Sequence, residues 1–100
     1  MSEPCTSSDR LTADTAILAR PGRLMGVILE GDGTNAASVI LYDNASAASG
    51  RVLCKMMLKA SSNDLVYPAV IPEGGIECTK GIYADVTGTG AAFIVYYQAG

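Results

Sequence analysis

Three cysteines, ten carboxylates and no histidine are the raw material for chemistry in this chain. Histidine is the commonest general base and the commonest metal ligand, so neither a Ser-His-Asp triad nor a Cys-His pair can be built from these residues. Cys54 remains as a lone nucleophile in principle. It alternates onto an apolar strand face with no base beside it, which is the setting of a buried structural thiol. Cys5, Cys54 and Cys78 are odd in number and widely spaced, a pattern that fits neither a closed disulfide framework nor a zinc site. Reduced thiols follow, with Cys54 and Cys78 as small core residues. Acid/base work would need paired carboxylates, and Asp43 and Asp85 are a pair that a sheet could bring together. Ten acids scattered at strand ends read more simply as solubility.

The remaining motifs lead to the same place. Gly31-Asp32-Gly33 and Gly88-Thr89-Gly90 superficially resemble phosphate-cradling loops, but a P-loop needs a following Lys and helix, and neither has them. Asp32, Thr34 and Asn35 could offer oxygens to calcium, yet the full ligand series and its closing bidentate Glu are missing. Asn44-Ala45-Ser46 matches a glycosylation sequon and, without a secretory signal, reads as a loop. No catalytic residue, cofactor-binding residue or metal ligand is assigned, and no cofactor is expected.

The elements that position these residues are strands. Gly and Pro punctuate the sequence at short intervals, and the segments between them are rich in Val, Ile, Leu and Tyr but too short for a useful helix. Strands are predicted near Thr15–Leu18, Arg23–Glu30, Ala37–Asp43, Arg51–Lys59, Leu65–Val70, Ile76–Thr79, Ile82–Thr87 and Ala92–Tyr97. The predicted fold is all-β: an antiparallel β-sandwich, jelly-roll-like, of about eight short strands with an irregular N-terminal arm. The arm is placed at residues 1–13, disordered or laid across a neighbour, and the single sandwich domain at 14–100. Ile82–Thr87 and Ala91–Tyr97, joined by Gly88-Thr89-Gly90, read as a β-hairpin. Pro68 and Pro72 cannot donate to a ladder, so the segment around them is predicted to be an edge or bulged strand.

Faces follow from period-two alternation. Val52, Cys54, Met56 and Leu58 share a core face opposite Arg51, Lys55 and Lys59, and Ile82, Ala84 and Val86 turn inward while Tyr83, Asp85 and Thr87 turn outward. Two strands are apolar on both sides. In one, Met25, Val27 and Leu29 oppose Leu24 and Ile28; in the other, Phe93, Val95 and Tyr97 oppose Ile94 and Tyr96. A small sandwich rarely covers both faces of a strand by itself, so one of these strands is expected to lend a face to a subunit contact. The candidate interface residues are Met25, Val27, Leu29, Tyr83, Ile94, Tyr96 and Tyr97. Tyrosine joins apolar area to a polar tip, so the five tyrosines suit protein contact first, ordinary packing second and a sugar platform of Tyr42 and Tyr83 third.

Bulk composition narrows the partners. The chain is 49% hydrophobic and 17% charged, less charged than the roughly 25% of an average soluble domain, and some of the apolar excess is expected to face a partner. A net charge of −3 gives no footprint for a phosphate backbone, so nucleic acid is not an expected partner. No run approaches the length of a membrane helix, and no membrane role is expected. Residues Met1 to Arg10 lack the basic and apolar regions of a signal peptide, so synthesis is expected in the cytoplasm.

Arg20-Pro21-Gly22-Arg23-Leu24, Asp32-Gly33-Thr34-Asn35, Leu41-Tyr42-Asp43-Asn44-Ala45, Ser49-Gly50, Gly81-Ile82-Tyr83, Asp85-Val86-Thr87-Gly88-Thr89-Gly90-Ala91 and Val95-Tyr96-Tyr97 together resemble small structural proteins of tailed bacteriophages. The likeness spans residues 20 to 97, and such proteins are similar to capsid decoration (cement) proteins or other small virion components with a β-sandwich fold. It implies a non-enzymatic virion protein at the capsid surface of a particle assembled in the host cytoplasm. Its partners would be the major capsid protein and copies of itself, as a trimer or, next, a dimer. The alternative is a tail, head-fibre or connector module that binds host glycans.

Overall fold

The computed structural model describes residues 5–61, 66–68 and 74–99. Among them the chain forms nine strands and no helix: β1 (Thr6–Ser7), β2 (Thr15–Leu18), β3 (Gly22–Glu30), β4 (Ala37–Tyr42), β5 (Val52–Leu58), β6 (Val66–Pro68), β7 (Ile76–Cys78), β8 (Ile82–Thr87) and β9 (Ala92–Ala99). Two antiparallel sheets pack as a sandwich. The first runs β1-β9-β3, with β6 and β7 sharing the far edge of β3; the second runs β2-β8-β4-β5. Each is thus four positions wide. β6 lies along Ile28–Glu30 and β7 along Gly22–Leu24, so the two are halves of one interrupted edge strand. Pro68 sits in β6 on that edge, as its missing N–H requires; Pro72, Leu65 and Val70 lie outside the described residues.

The core fills the gap between the sheets. Phe93, Leu24, Leu29, Leu41, Ile82 and Val39 are fully buried there, and each such side chain contributes about 1.5–3 kcal/mol relative to exposure. Two strands reach this core only by breaking their alternation. In β3 a register shift falls between Leu24 and Gly26, so Leu24, Val27 and Leu29 point inward while Met25, Gly26 and Ile28 point outward. In β5, Leu41 pairs Cys54 but Tyr42 pairs Val52, leaving Leu53 as the extra residue of a bulge. Leu53 is buried in consequence, and Val52, expected in the core, is 50% exposed. A single inserted residue reverses which face everything beyond it occupies.

The hairpin expectation fails. β8 pairs with β2 and β4 in the second sheet, and β9 pairs with β1 and β3 in the first. Residues 88–91 therefore form an arch between the sheets, with the Ala91 amide donating to the Gly88 carbonyl at 3.3 Å. Both edges of each strand are already taken, and sequence preference for β-structure does not distinguish a hairpin from an arch. The arch rests on the β3–β4 connection, where Gly90 lies against the Asp32 side chain.

The described part of the arm is irregular outside Thr6–Ser7 and the Leu11 bridge, and it lies along its own first sheet. Thr6 and Ser7 pair with Tyr97 and Tyr96, the Ser8 amide donates to the Val95 carbonyl, and Leu11 and Phe93 exchange two backbone hydrogen bonds of 2.8 Å. Arg10 reaches over to Glu30 at 3.4 Å. The segment protects one edge of the first sheet, which would otherwise present unpaired backbone groups.

Candidate docking surfaces

Asp43 directly follows β4 and is the buried charged residue of the described chain. Its Oδ1 accepts the amides of Thr79, Lys80 and Gly81 at 3.0, 2.8 and 3.3 Å. Its Oδ2 accepts the Thr79 hydroxyl at 3.0 Å and Arg51 Nη2 at 3.3 Å. Burial opposes ionisation, but the hydrogen bonds from Lys80, Thr79 and Gly81 together outweigh it and hold this carboxyl well below its ordinary value. Asp43 is thus the tie between the end of β4 and the β7–β8 connection. It does not meet Asp85, which lies opposite Ile40, so the two acids are not assembled as an acid/base pair.

The other chemical candidates are equally committed to the fold. Asp32 folds onto its own turn, accepting the Thr34 and Asn35 amides at 2.9 and 2.8 Å and the Asn35 side-chain amide at 2.8 Å. Asn44 is held in the same way, accepting the Ser46 and Ala47 amides and donating to Ser49. Burial raises the thiols of Cys54 and Cys78 above their ordinary value, the opposite of what a nucleophile needs. An open cleft of about 360 Å³ lies between Pro21–Arg23 and Glu77–Thr79, flanked by one cation and one anion. Among the described residues, no three His, Cys, Asp or Glu side chains are placed to hold a metal ion.

The outer faces of the sheets carry the features that the core leaves unused. On the second sheet, the register sets Ala16 opposite Tyr83, Tyr83 opposite Tyr42 and Tyr42 opposite Val52. This is a continuous row across all four strands, polar only at the tyrosine hydroxyls. Beside it runs a row of Asp85, Ile40 and Lys55, and beyond that Thr87, Ser38 and Met57. Val52 and Met57, 50% and 63% exposed, are the exposed large hydrophobic residues of the described chain, and both lie here on the edge strand β5. Asp85 stands next to Asp14; burial first, then the Asp14 charge, push its carboxyl above the ordinary value.

The outer face of the first sheet is built around Ile28 opposite Ile94 and Gly26 opposite Tyr96. The Tyr96 ring lies over Gly26, 3.5 Å from where a Cβ would stand, an ordinary contact distance. Met25 flanks this patch as the extra residue of the β3 bulge. Of the expected interface residues, Met25, Ile94 and Tyr96 therefore share one outer face, and Tyr83 lies on the opposite side of the sandwich. Tyr97 packs against the core. Val27 and Leu29 are 2% and 0% exposed and are consumed by the core, which corrects their assignment to a contact surface. Sequence reasoning missed Ile28, Ile40, Val52 and Met57 as surface groups. The one signal was Gly26 inside β3, a mark of a bulge; nothing comparable marks Leu53 between Val52 and Cys54.

No family model matches this chain, and no curated protein or solved structure matches it either.

Proposed function

We propose that this chain is a structural virion protein of the capsid decoration type, which binds the major capsid protein lattice and stabilises the head. The observation that carries the reading is the strand order. Taken in chain order, with β6 and β7 as one position, the strands fill sheets 1-9-3-6/7 and 2-8-4-5. We read this order as that of a double Greek-key jelly roll, an architecture that viral capsid domains and lectins share. Fold alone does not assign function, and two further points support the choice. The chain resembles small phage virion proteins over residues 20 to 97, and both outer faces carry apolar and tyrosine side chains of the kind found at contact surfaces. Met25, Ile28, Ile94 and Tyr96 form the face that meets the shell. A ligand that binds only the assembled shell stabilises it by mass action, and no catalysis is required.

Purified chain added to shells that lack it should saturate at a fixed ratio to capsid subunits and raise the temperature at which the shell comes apart. Ile94→Asp together with Tyr96→Asp should abolish both effects while leaving the chain folded. Saturation at only a few copies per particle would instead indicate a connector or tail component. The Tyr42–Tyr83 pair favours a second reading, a fibre module whose paired rings stack on a host sugar; titration with host-surface glycans should then perturb both tyrosine ring signals.

A further inference from the structure

The outer face of the second sheet carries a symmetry that its strand register makes explicit. β4 runs between β8 and β5, with β2 beyond β8. Lys55 and Asp85 stand on either side of Ile40, Val52 and Tyr83 on either side of Tyr42, and Met57 and Thr87 on either side of Ser38. Neighbouring strands are spaced by about 4.8 Å, so each flank lies equally far from β4. The charges on the flanks are opposite, and among the described residues neither forms a salt bridge. Lys55 is exposed, and the salt bridges of the described residues do not involve Asp14 either. Asp85 instead has the like charge of Asp14 beside it, and Asp14 is fixed there by accepting the Val86 amide at 2.9 Å.

We propose that this face is covered by a second copy of the chain, docked sheet to sheet about a two-fold axis that lies in the interface along β4. Rotation about that line exchanges the flanks. Lys55 then faces the partner's Asp85, and Asp85 faces the partner's Lys55, so one ion pair forms twice. Tyr42 and Ile40 meet their own counterparts on the axis, and Val52 meets the partner's Tyr83. An axis lying across the strands would set Lys55 against the partner's Lys55 and Asp85 against the partner's Asp85, so the charges select the direction. The contact is isologous, as closed two-fold dimers require. It also covers Val52 and Met57, which a lone copy leaves open.

The three strands that overlap about this axis, β8, β4 and β5, span by five residues about 14 × 17 Å, or about 240 Å² of flat area. That is below the roughly 800 Å² per partner of a standard stable interface. The dimer is therefore weak in free solution and gains strength when copies are held in an array. This deepens the assembly reading and rests on it only in treating the outer faces as contact surfaces.

The test uses purified chain in solution, so its failure leaves shell binding through the other face untouched. Sedimentation equilibrium should show concentration-dependent dimers in the range of about 10 μM to 1 mM. Lys55→Glu alone and Asp85→Lys alone should each weaken dimerisation about tenfold or more, because each sets like charges face to face. An equimolar mixture of the two variants should restore it, since each chain then meets the opposite charge on its partner. Intramolecular effects cannot produce that rescue. Ile40→Glu, which doubles a charge on the axis, serves as an independent disruptor should Asp85→Lys unfold the chain. A parent chain that stays monomeric overturns the proposal. So does a dimer indifferent to Lys55→Glu and Ile40→Glu, which would place the contact elsewhere, for instance along the open edge of β5. A mixture of folded variants no stronger than its components also overturns it.

Discussion

Asp43→Ala should lower the stability of the isolated chain by about 3–5 kcal/mol, because several hydrogen bonds to one charged acceptor are lost together. For a domain of this size that corresponds to a fall of roughly 15–30 °C in Tm. The substitution deprives the part-buried Thr79 and Lys80 amides and the buried Gly81 amide of their acceptor at once, and donors left unpaired away from water are costly. No buried side-chain polar atom of the described chain lacks a partner in the native state, so nothing nearby is poised to substitute. Arg51 is the lesser half of its pair with Asp43. Its side chain is 59% exposed, and exposed ion pairs contribute about 0–1 kcal/mol.

The same residue sets a pH dependence. The folded carboxyl titrates below its ordinary value of 3.8, so the folded state binds that proton more weakly than the unfolded chain. The stabilisation is complete above the unfolded value and is lost as pH falls through the folded one. Asp85, raised rather than lowered, works in the opposite sense, so a comparison of parent and variant isolates Asp43. Urea unfolding at stepped pH should show the gap between parent and Asp43→Ala constant near neutrality and narrowing once the solution is more acidic than 3.8. A gap unchanged down to the acid limit would mean that the carboxylate charge does not carry the tie.

Gly88→Ala should cost about 2–5 kcal/mol, combining an unfavourable backbone angle with overpacking. Gly88 has φ +120°, and a Cβ there would collide with the Ala36 carbonyl oxygen and stand 2.9 Å from the Ala37 Cα. These atoms are backbone and cannot move aside as a flexible side-chain tip would. Gly74 is the control, since it has φ +87° and nothing within 4 Å of the corresponding Cβ. Gly74→Ala therefore reports backbone strain alone, about 1–2 kcal/mol. The difference between the two variants measures how tightly the β8–β9 arch is seated on the β3–β4 connection. Equal costs by chemical denaturation would contradict that seating.

Individual strands were legible in the residues, whereas their relations were not. Thr15–Leu18 and Ile82–Thr87 have the predicted bounds, the second set by Gly81 and Gly88 on either side, and Pro68 marks its own edge. Period-two alternation also places Ile82 and Ala84 inward. It fails in β3 and β5 because phase survives only until a bulge, and the extra residues Met25 and Leu53 look like any other apolar position. The arch at residues 88–91 was hidden for a different reason: pairing depends on which neighbours fill each edge, and no local signal encodes that. The candidate surfaces sit at this second level. Tyr42 and Tyr83 attract notice singly, but their adjacency, and the opposed Lys55 and Asp85 on either side of Ile40, exist only once the register of β4 is known.

Reconstruction of the intact virus particle tests the structural role most directly. The account predicts this chain at every equivalent position of the capsid lattice, with Ile28, Ile94 and Tyr96 turned toward the shell. A chain confined to a vertex or the tail, or absent from the particle, would contradict it.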